Sequence, residues 1–240
     1  YAPFNMENES TYYIEYRSVD RLGNTETAKS VTAMVDNIPP VTTHSIGSLK
    51  YITSGNINYI TGNTVITLSA EDASSGVAVT EYRVDVGPWT THAPITIQAE
   101  GSHLVEYRSK DRTGNTEDTK SVSVIVDDSP PVTNITTETP NYTASDGKLF
   151  VASSTQFTLS STDSGSGVKD IEYRIDSSEW RVYASFTVSA EGSHVIGFRS
   201  TDNLGNTETE KVLSVTVDNT PPVTEVTAGS PKYQDGDSLY

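Results

Sequence analysis

Residues 103–117, HLVEYRSKDRTGNTE, carry the pattern that decides the fold. Apolar and polar residues alternate up to Tyr107, as in a strand with one buried face, and the polar segment from Asp111 to Asn115 has the composition of a turn. The same pattern occurs in residues 12–26 (YYIEYRSVDRLGNTE) and in residues 194–208 (HVIGFRSTDNLGNTE). The copies lie 91 residues apart, so the chain is a tandem repeat.

Double prolines recur at the same spacing and mark the ends of the repeats. Pro39-Pro40, Pro130-Pro131 and Pro221-Pro222 each fix two φ angles and remove two N–H donors, which ends a strand and stiffens the connection. The sequence therefore predicts a longer array that is cut within a module at both ends. The expected segments are the C-terminal part of a module at 1–40, complete modules at 41–131 and 132–222, and the start of a further module at 223–240.

Each module is predicted to be all-β. Six or seven short runs with alternating hydrophobicity fit into one period, separated by Gly, Ser, Asn, Asp and Pro, and no stretch has helical periodicity. This pattern is typical of an Ig-like, fibronectin III-like β-sandwich. The aromatic residues expected in the two cores are Tyr82, Tyr107, Tyr173 and Phe198.

The first 40 residues contain strands whose partners within a module are not present before them in the sequence. Their inward residues are expected to be exposed on this chain alone and to be covered by another copy or by chain preceding Tyr1. These residues are Ile14, Tyr16, Val31, Ala33 and Val35.

Composition excludes several classes of function. The 240 residues include 16 Lys and Arg against 32 Asp and Glu, a net charge of −16, which argues against nucleic-acid binding and against docking on anionic lipid. No apolar run approaches the roughly 18 residues of a membrane-spanning helix, and no signal peptide is visible. Cysteine is absent, which excludes disulfides, thiolate metal sites and a cysteine nucleophile.

The residues Glu81-Tyr82-Arg83-Val84-Asp85, the later Ala99-Glu100-Gly101-Ser102-His103 and the final Pro130-Pro131 resemble the Ig-like tandem repeats of large bacterial and archaeal surface proteins. Such repeats occur in adhesin stalks and in accessory regions of secreted hydrolases. The resemblance covers the whole chain and implies an extracellular or cell-surface location. It implies a structural or spacer segment of a stalk, adhesin or filament, with neighbouring modules or further copies as partners. The alternative is a carbohydrate- or partner-binding accessory region of a secreted hydrolase, with a glycan or surface partner.

An enzyme is not expected. The four histidines, His44, His92, His103 and His194, have no metal-ligand spacing, and neither a nucleophile elbow nor a phosphate-binding loop occurs. Trp89 and Trp180 allow stacking on a sugar, but their recurrence at one repeat position favours a packing role. Glu81 and Arg83 are expected to pair with Arg108 and Glu106 across neighbouring antiparallel strands.

Acidic and amide residues are expected to converge where one module follows another, because the loops at the start of a sandwich lie near the end of the preceding module. Ca²⁺ takes six to eight oxygen ligands from such groups, so the sequence predicts two candidate calcium sites. The alternative is that the same residues only stabilise turns. The first site would use Glu9, Asp36, Asn37, Asp72, Asp111 and Asn115, and the second Glu100, Asp127, Asp128, Asp163, Asp202 and Asn206.

Three N-glycosylation sequons are present and suit surface positions in a secreted chain, although such triplets also arise by chance in a sequence rich in Thr and Asn. The candidate acceptors are Asn8, Asn134 and Asn141.

Overall fold

The computed structural model describes residues 2–227 and, beyond them, the backbone of 234–235 and 238–239. All the regular structure in this part of the chain is β-strand. The predicted start of a further module at 223–240 therefore lies partly outside the described residues. The chain divides into two compact units. The first comprises Tyr1–Pro131, Thr162–Lys169 and Thr201–Thr207, and the second comprises Val132–Ser161, Asp170–Ser200 and Glu208–Tyr240.

The first 40 residues form one antiparallel hairpin, made of β1 (Ser10–Tyr16) and β2 (Lys29–Val35). The register pairs Tyr16 with Lys29. This sheet has two strands only, and one face retains apolar residues in contact with solvent: Tyr16 is 51% exposed and Val31 is 50% exposed. Ile14, Ala33 and Val35 are half-buried.

Residues 41–131 form a two-sheet sandwich. A two-stranded sheet pairs the first strand with the fourth, and a six-stranded sheet has the order β4-β5-β10-β9-β7-β8. All neighbouring strands are antiparallel except β5 and β10, which are parallel. The strands are β3 (Val41–Ile46), β4 (Lys50–Ile52), β5 (Asn58–Ile60), β6 (Ile66–Glu71), β7 (Val77–Val84), β8 (Thr90–Thr91), β9 (Gly101–Asp111) and β10 (Lys120–Val126).

The second complete repeat has the same architecture. A three-stranded sheet has the order β11-β14-β17, and a six-stranded sheet has the order β12-β13-β19-β18-β15-β16. Its strands are β11 (Val132–Thr137), β12 (Asn141–Thr143), β13 (Leu149–Val151), β14 (Gln156–Thr162), β15 (Val168–Ile175), β16 (Arg181–Val182), β17 (Phe186–Thr187), β18 (Gly192–Asp202) and β19 (Lys211–Val217). Two further short strands, β20 (Gln234–Asp235) and β21 (Ser238–Leu239), pair with each other. Both complete repeats are Ig-like, fibronectin III-like β-sandwiches, as predicted.

Alternating residues of the facing sheets fill each core. Tyr107, Tyr173 and Phe198 are buried, with at most 9% of their surface exposed, but Tyr82 is only partly buried. The two repeats differ in the residue that lies opposite this tyrosine. Phe186 stacks on Tyr173 at 3.9 Å between ring centroids, whereas the equivalent residue in the first complete repeat is the smaller Ile95.

The predicted cross-strand ion pairs are confirmed. Arg83 Nε lies 2.7 Å from Glu106, and Arg108 lies 3.3 Å from Glu81. In the second repeat Gly197 stands at the position of Glu106, and Arg174 pairs instead with Glu210 at 2.7 Å. The Glu210 carboxylate occupies the space that a Cβ at position 197 would take. The second repeat therefore has the same kind of ion pair, with the acid supplied by Glu210, which precedes β19, instead of by position 197 in β18.

Candidate metal centres

Asp36, Asp72 and Asp111 come together at the first of the two predicted sites. Asp36 follows β2, Asp72 follows β6 and Asp111 ends β9, and one carboxylate oxygen of each lies within 4.8 Å of the others. Asp36 and Asp111 are buried, with 6% and 1% of their surface exposed. We call this group the first carboxylate trio; all three residues belong to the first unit.

The loop after β9 folds around the carboxylate of Asp111. Asp111 Oδ1 accepts hydrogen bonds from the backbone N–H groups of Thr113, Gly114 and Asn115, at 2.9, 2.6 and 2.8 Å. The Asn115 amide donates to Asp111 Oδ2 at 2.7 Å and to the Asp36 carbonyl at 2.9 Å. Gly114 has φ of +109°, a region that favours glycine, so the GN pair of the motif is needed for this turn.

Asp72 and Asp36 are held by the loop between β6 and β7. Asp72 Oδ1 accepts the N–H groups of Ser74 and Gly76, at 3.2 and 2.6 Å, and Asp36 Oδ2 accepts that of Ser75 at 2.9 Å. The hydrogen bonds of the described residues leave Asp72 Oδ2 without a donor. The trio therefore has oxygen lone pairs that the turns do not use.

The second carboxylate trio, Asp127, Asp163 and Asp202, repeats this arrangement within 4.8 Å. These three residues also belong to the first unit. Asp202 Oδ1 accepts three loop N–H groups at 2.6–2.9 Å, Asp163 Oδ1 accepts two at 2.7 and 3.0 Å, and Asn206 donates to the Asp127 carbonyl at 3.0 Å. Asp163 Oδ2, like Asp72 Oδ2, has no donor among the described hydrogen bonds.

Protonation does not relieve the crowding of charge in the first trio. Burial raises the pKa of Asp111, but the hydrogen bonds from Asn115 and Gly114 outweigh it, so its pKa lies below the ordinary value. The hydrogen bond from Ser75 lowers the pKa of Asp36, although the nearby Asp111 charge opposes the shift. Both carboxylates are therefore ionised near neutral pH and repel each other, which a bound cation would offset.

A loop serine accompanies each trio. Its backbone N–H donates to an aspartate of the trio, Ser75 to Asp36 at 2.9 Å and Ser166 to Asp127 at 2.6 Å. Ser166 Oγ is inaccessible to solvent and has no hydrogen-bond partner among the described residues. Ser166 as a whole is only 6% exposed. A buried hydroxyl without a partner is uncommon, and a bound ion or water would satisfy it.

Four other residues predicted for these sites, Glu9, Asn37, Glu100 and Asp128, do not belong to the trios and make other hydrogen bonds. Glu9 accepts the Ser74 hydroxyl at 2.9 Å, and Asn37 donates to the Glu7 carbonyl at 3.0 Å. Glu100 accepts the N–H of Asp128 at 3.0 Å, and the Asp128 carboxylate binds the N–H of Gly62 at 3.0 Å. The structure thus groups three of the six predicted residues at each site, and Asn115 and Asn206 turn their amide nitrogens toward the trios.

A groove of about 630 Å³ lies beside one member of the first trio, Asp72. Glu71 and Glu9 line it as well, together with Pro39 and Val77. Three carboxylates therefore line this groove.

His103 and His194 occupy the same repeat position, and each pairs with its own aspartate. His103 Nδ1 lies 2.9 Å from Asp85 and its Nε2 lies 2.8 Å from the Ala99 carbonyl, so both ring nitrogens face acceptors. His194 does the same with Asp176 and Ala190, at 2.9 and 3.0 Å. At the same repeat position the Tyr12 hydroxyl donates to the Asn8 carbonyl at 3.0 Å. In all three copies the residue at this repeat position therefore donates a hydrogen bond to the backbone carbonyl four residues earlier. The hydrogen bonds to Asp85 and Asp176 raise the pKa of His103 and His194.

We expect stability to fall as the pH rises above about 6.5, the ordinary pKa of histidine. The imidazolium form is favoured in the folded state, so its contribution is complete below the unfolded pKa of about 6.5 and is lost as the pH rises through the raised pKa. Urea unfolding at a series of pH values measures this. The double variant His103→Tyr/His194→Tyr, which copies Tyr12, should flatten the profile over this range. An unchanged slope in that variant would assign the pH dependence to other groups.

The tryptophan rings are engaged by arginines. Arg83 and Arg108 lie 4.9 and 4.2 Å from the Trp89 ring centroid, and Arg174 and Arg199 lie 4.8 and 4.1 Å from that of Trp180. Each ring is therefore contacted by two arginines that also form the ion pairs of its sheet. The candidate glycosylation residues Asn8, Asn134 and Asn141 are all exposed.

Comparisons with known proteins give likenesses among solved structures only. No protein-family model matches the chain, and no curated protein does. The chain is similar to the fibronectin(III)-like modules of Clostridium thermocellum CbhA, at 17% sequence identity, with a TM-score of 0.37, over 73% of this chain and 94% of that one. Within the described residues, no helix has the length and apolar character required to cross a membrane.

Proposed function

We propose that this chain is a structural spacer segment of an extracellular repeat protein and that each carboxylate trio binds Ca²⁺. The observation that carries the proposal is the recurrence of one three-carboxylate arrangement at equivalent positions, twice, with the same loop hydrogen bonds. In each case the trio joins the residue that ends one repeat to two loops of the next. A bound ion would hold these three segments together.

The ligand chemistry favours a hard cation. The side chains that make up each trio are carboxylates, without cysteine or histidine, and such oxygen ligands suit Ca²⁺ rather than zinc. The flexible geometry of Ca²⁺ tolerates a mixture of side-chain, backbone and water oxygens better than the octahedral geometry of Mg²⁺ does.

A spacer role agrees with the rest of the molecule. The repeats place the same packing and hydrogen-bonding residues at the same positions, which is the organisation of an array in which each module contacts its neighbours. The double prolines limit bending between repeats. The extracellular location is supported by the resemblance to surface-protein repeats and by the exposure of the three sequons.

Calcium is expected to raise the melting temperature of the full chain. An ion that binds only the folded state stabilises it by about 2.7 kcal/mol at a hundredfold excess over Kd. For a domain the size of one 91-residue repeat, each kcal/mol shifts the melting temperature by roughly 4–8 °C. Scanning calorimetry in calcium and in EDTA measures the shift.

Asp72→Asn with Asp163→Asn is the sharpest variant for this experiment. Asparagine keeps the Oδ1 acceptor that the loop N–H groups require, and it removes only the charge and the second carboxylate oxygen. The variant should melt like the wild type in EDTA and lose most of the calcium-dependent rise. Asp218→Asn is the matched control, because Asp218 occupies the position of Asp36 and Asp127 but is exposed. Identical wild-type curves in calcium and EDTA would leave the trios as turn-stabilising residues.

A second candidate function, glycan binding, is favoured by one observation in the second repeat. Tyr142 is 66% exposed and lies beside Phe150, with Asn141 and Asp218, in a groove of about 460 Å³. An exposed aromatic ring next to amide and carboxylate groups is a chemistry that binds sugars. A glycan array with the wild type and with Tyr142→Ala tests it; a signal that survives Tyr142→Ala, or no signal at all, would reject this groove as a sugar site.

A further inference from the structure

The second carboxylate trio has the dimensions of a single calcium shell. One oxygen of each of Asp127, Asp163 and Asp202 lies within 4.8 Å of the others. Two ligands on opposite sides of a Ca²⁺ ion are separated by twice the metal–oxygen distance of about 2.3–2.6 Å, which is roughly 4.6–5.2 Å. One ion therefore fits between all three carboxylates as they stand. Because Ca²⁺ takes about six to eight oxygens, the carboxylates leave positions for further ligands.

The loop between β14 and β15 brings one serine against these carboxylates. Asp163 Oδ1 accepts the N–H groups of Gly165 and Gly167, at 3.0 and 2.7 Å, so the loop closes around that oxygen. Between the two glycines, the Ser166 N–H donates to Asp127 Oδ2 at 2.6 Å. A Cβ at position 165 would overlap the Asp127 carboxylate, so Gly165 allows the loop to approach it this closely.

Among the described residues, the hydroxyl is the one polar group of Ser166 without a partner. The Ser166 N–H donates to Asp127, and the Ser166 carbonyl accepts the Asn203 amide at 2.9 Å. The Oγ atom is inaccessible to solvent, and the residue as a whole is 6% exposed. Since Oγ is three bonds from the nitrogen that binds Asp127, it stays within roughly 4 Å of that nitrogen and lies beside the trio. A buried hydroxyl in this state costs free energy until an ion or a water completes it.

The first repeat places a serine in the same way. Ser75 stands 91 residues before Ser166, and its N–H donates to Asp36 of the first trio at 2.9 Å. Ser75 is half-buried as a residue, but its Oγ is shielded from solvent and also lacks a partner among the described residues. The serine recurs together with the trio, which indicates a role tied to the trio.

We propose that Ser166 Oγ is a fourth side-chain ligand of the calcium ion at the second trio. The inference rests on the proposed function, because it needs an ion at the trio. The hydroxyl would contribute a neutral oxygen to a site whose other side-chain ligands are carboxylates, in the mixed manner that Ca²⁺ accepts. The metal-free protein therefore keeps a buried hydroxyl without a partner, and the ion supplies that partner.

Calorimetric titration in an Asp72→Asn background isolates the second trio, because the first trio then lacks one of its carboxylates. In this parent chain Ser166→Ala should weaken calcium binding roughly tenfold, since even the loss of a group outside the ligand shell costs about 10–100-fold in other metal sites. Ser164→Ala is the matched control. Ser164 lies two residues earlier in the same loop and is exposed, so its replacement should leave the affinity unchanged.

Terbium luminescence counts the water molecules on the bound ion. Tb³⁺ takes oxygen ligands as Ca²⁺ does, and the difference between its luminescence lifetimes in H₂O and D₂O gives the number of coordinated waters. If the hydroxyl is a ligand, Ser166→Ala should add about one water to the ion at the second trio, and Ser164→Ala should add none. An unchanged water count in Ser166→Ala would overturn the proposal.

The melting temperature in EDTA separates a ligand from a side chain that stabilises the fold. Removing a buried hydroxyl without a partner costs the metal-free protein nothing, so Ser166→Ala should melt in EDTA at or above the temperature of its parent. The rise caused by calcium should become smaller. An unchanged calcium affinity, or a lower melting temperature in EDTA, would overturn the proposal while leaving calcium binding by the trios intact. If the parent chain bound no calcium, the proposed function itself would fail.

Discussion

Replacing Tyr107 by alanine is expected to lower the free energy of unfolding of the first complete repeat by about 3–5 kcal/mol. Tyr107 is 4% exposed, lies in the core of that repeat and bonds through its hydroxyl to His44 at 2.8 Å. The substitution removes the ring from a packed interior and leaves a cavity as well as an unpaired histidine nitrogen.

Urea unfolding followed by tryptophan fluorescence measures this loss repeat by repeat, because each complete repeat contains one tryptophan, Trp89 or Trp180. In a Trp180→Phe background the signal reports residues 41–131 alone. Leu104→Ala is the control in the same strand of the same repeat. Leu104 is 38% exposed, so its replacement should cost less than about 1 kcal/mol. A loss below about 1 kcal/mol for Tyr107→Ala would contradict the core assignment.

Replacing Glu117 by alanine is expected to cost about 2–4 kcal/mol, because it leaves the buried N–H groups of Thr42 and Ser109 without an acceptor. Burial raises the pKa of Glu117, but the hydrogen bonds from Lys120 and Thr42 outweigh it and keep the pKa below the ordinary value. The side chain is therefore ionised and serves as the acceptor that attaches β3 to the rest of the sandwich.

The same fluorescence experiment measures this effect, again with an internal control. Asp118 is the neighbouring acidic residue and is exposed. Asp118→Ala should therefore change the stability by less than about 1 kcal/mol. If Glu117→Ala were as mild as Asp118→Ala, the glutamate would not be what holds β3.

The repeat period made most of the fold predictable. Alternation at Val105 and Tyr107, or at Ile196 and Phe198, correctly predicts which side chains face the cores, because a strand with one buried face must alternate. The cross-strand pairs were predictable for the same reason. Tyr82 was predicted to be buried and is only partly so. The residue opposite differs between the repeats, since Ile95, which lies outside the named strands, replaces the Phe186 that stacks on Tyr173.

Sequence reasoning identified the aspartates of both trios but not the limits of each group. Asp127 and Asp128 are adjacent and chemically alike, and only the path of the chain after β10 sends Asp127 to the trio and Asp128 to Gly62. The buried role of Glu117 was missed, although the signal was present. The GNTE motif ends in glutamate in all three copies, and a turn alone needs only its Gly and Asn.

The acid of this ion pair is Glu106 in the first complete repeat and Glu210 in the second. This difference could not be foreseen from either residue alone. Gly197 and Glu210 must be considered together, because the Glu210 carboxylate fills the space that a side chain at position 197 would occupy. Such compensated exchanges become visible when the strands are in register.

Calorimetric titration of the metal-free full chain with Ca²⁺ tests the central claim most directly. The two trios predict two bound ions per wild-type chain, one in Asp72→Asn or in Asp163→Asn, and none in the double variant, with Asp218→Asn retaining two. Absence of binding to the wild type, or an unchanged stoichiometry in the double variant, would contradict the assignment of the trios as calcium sites.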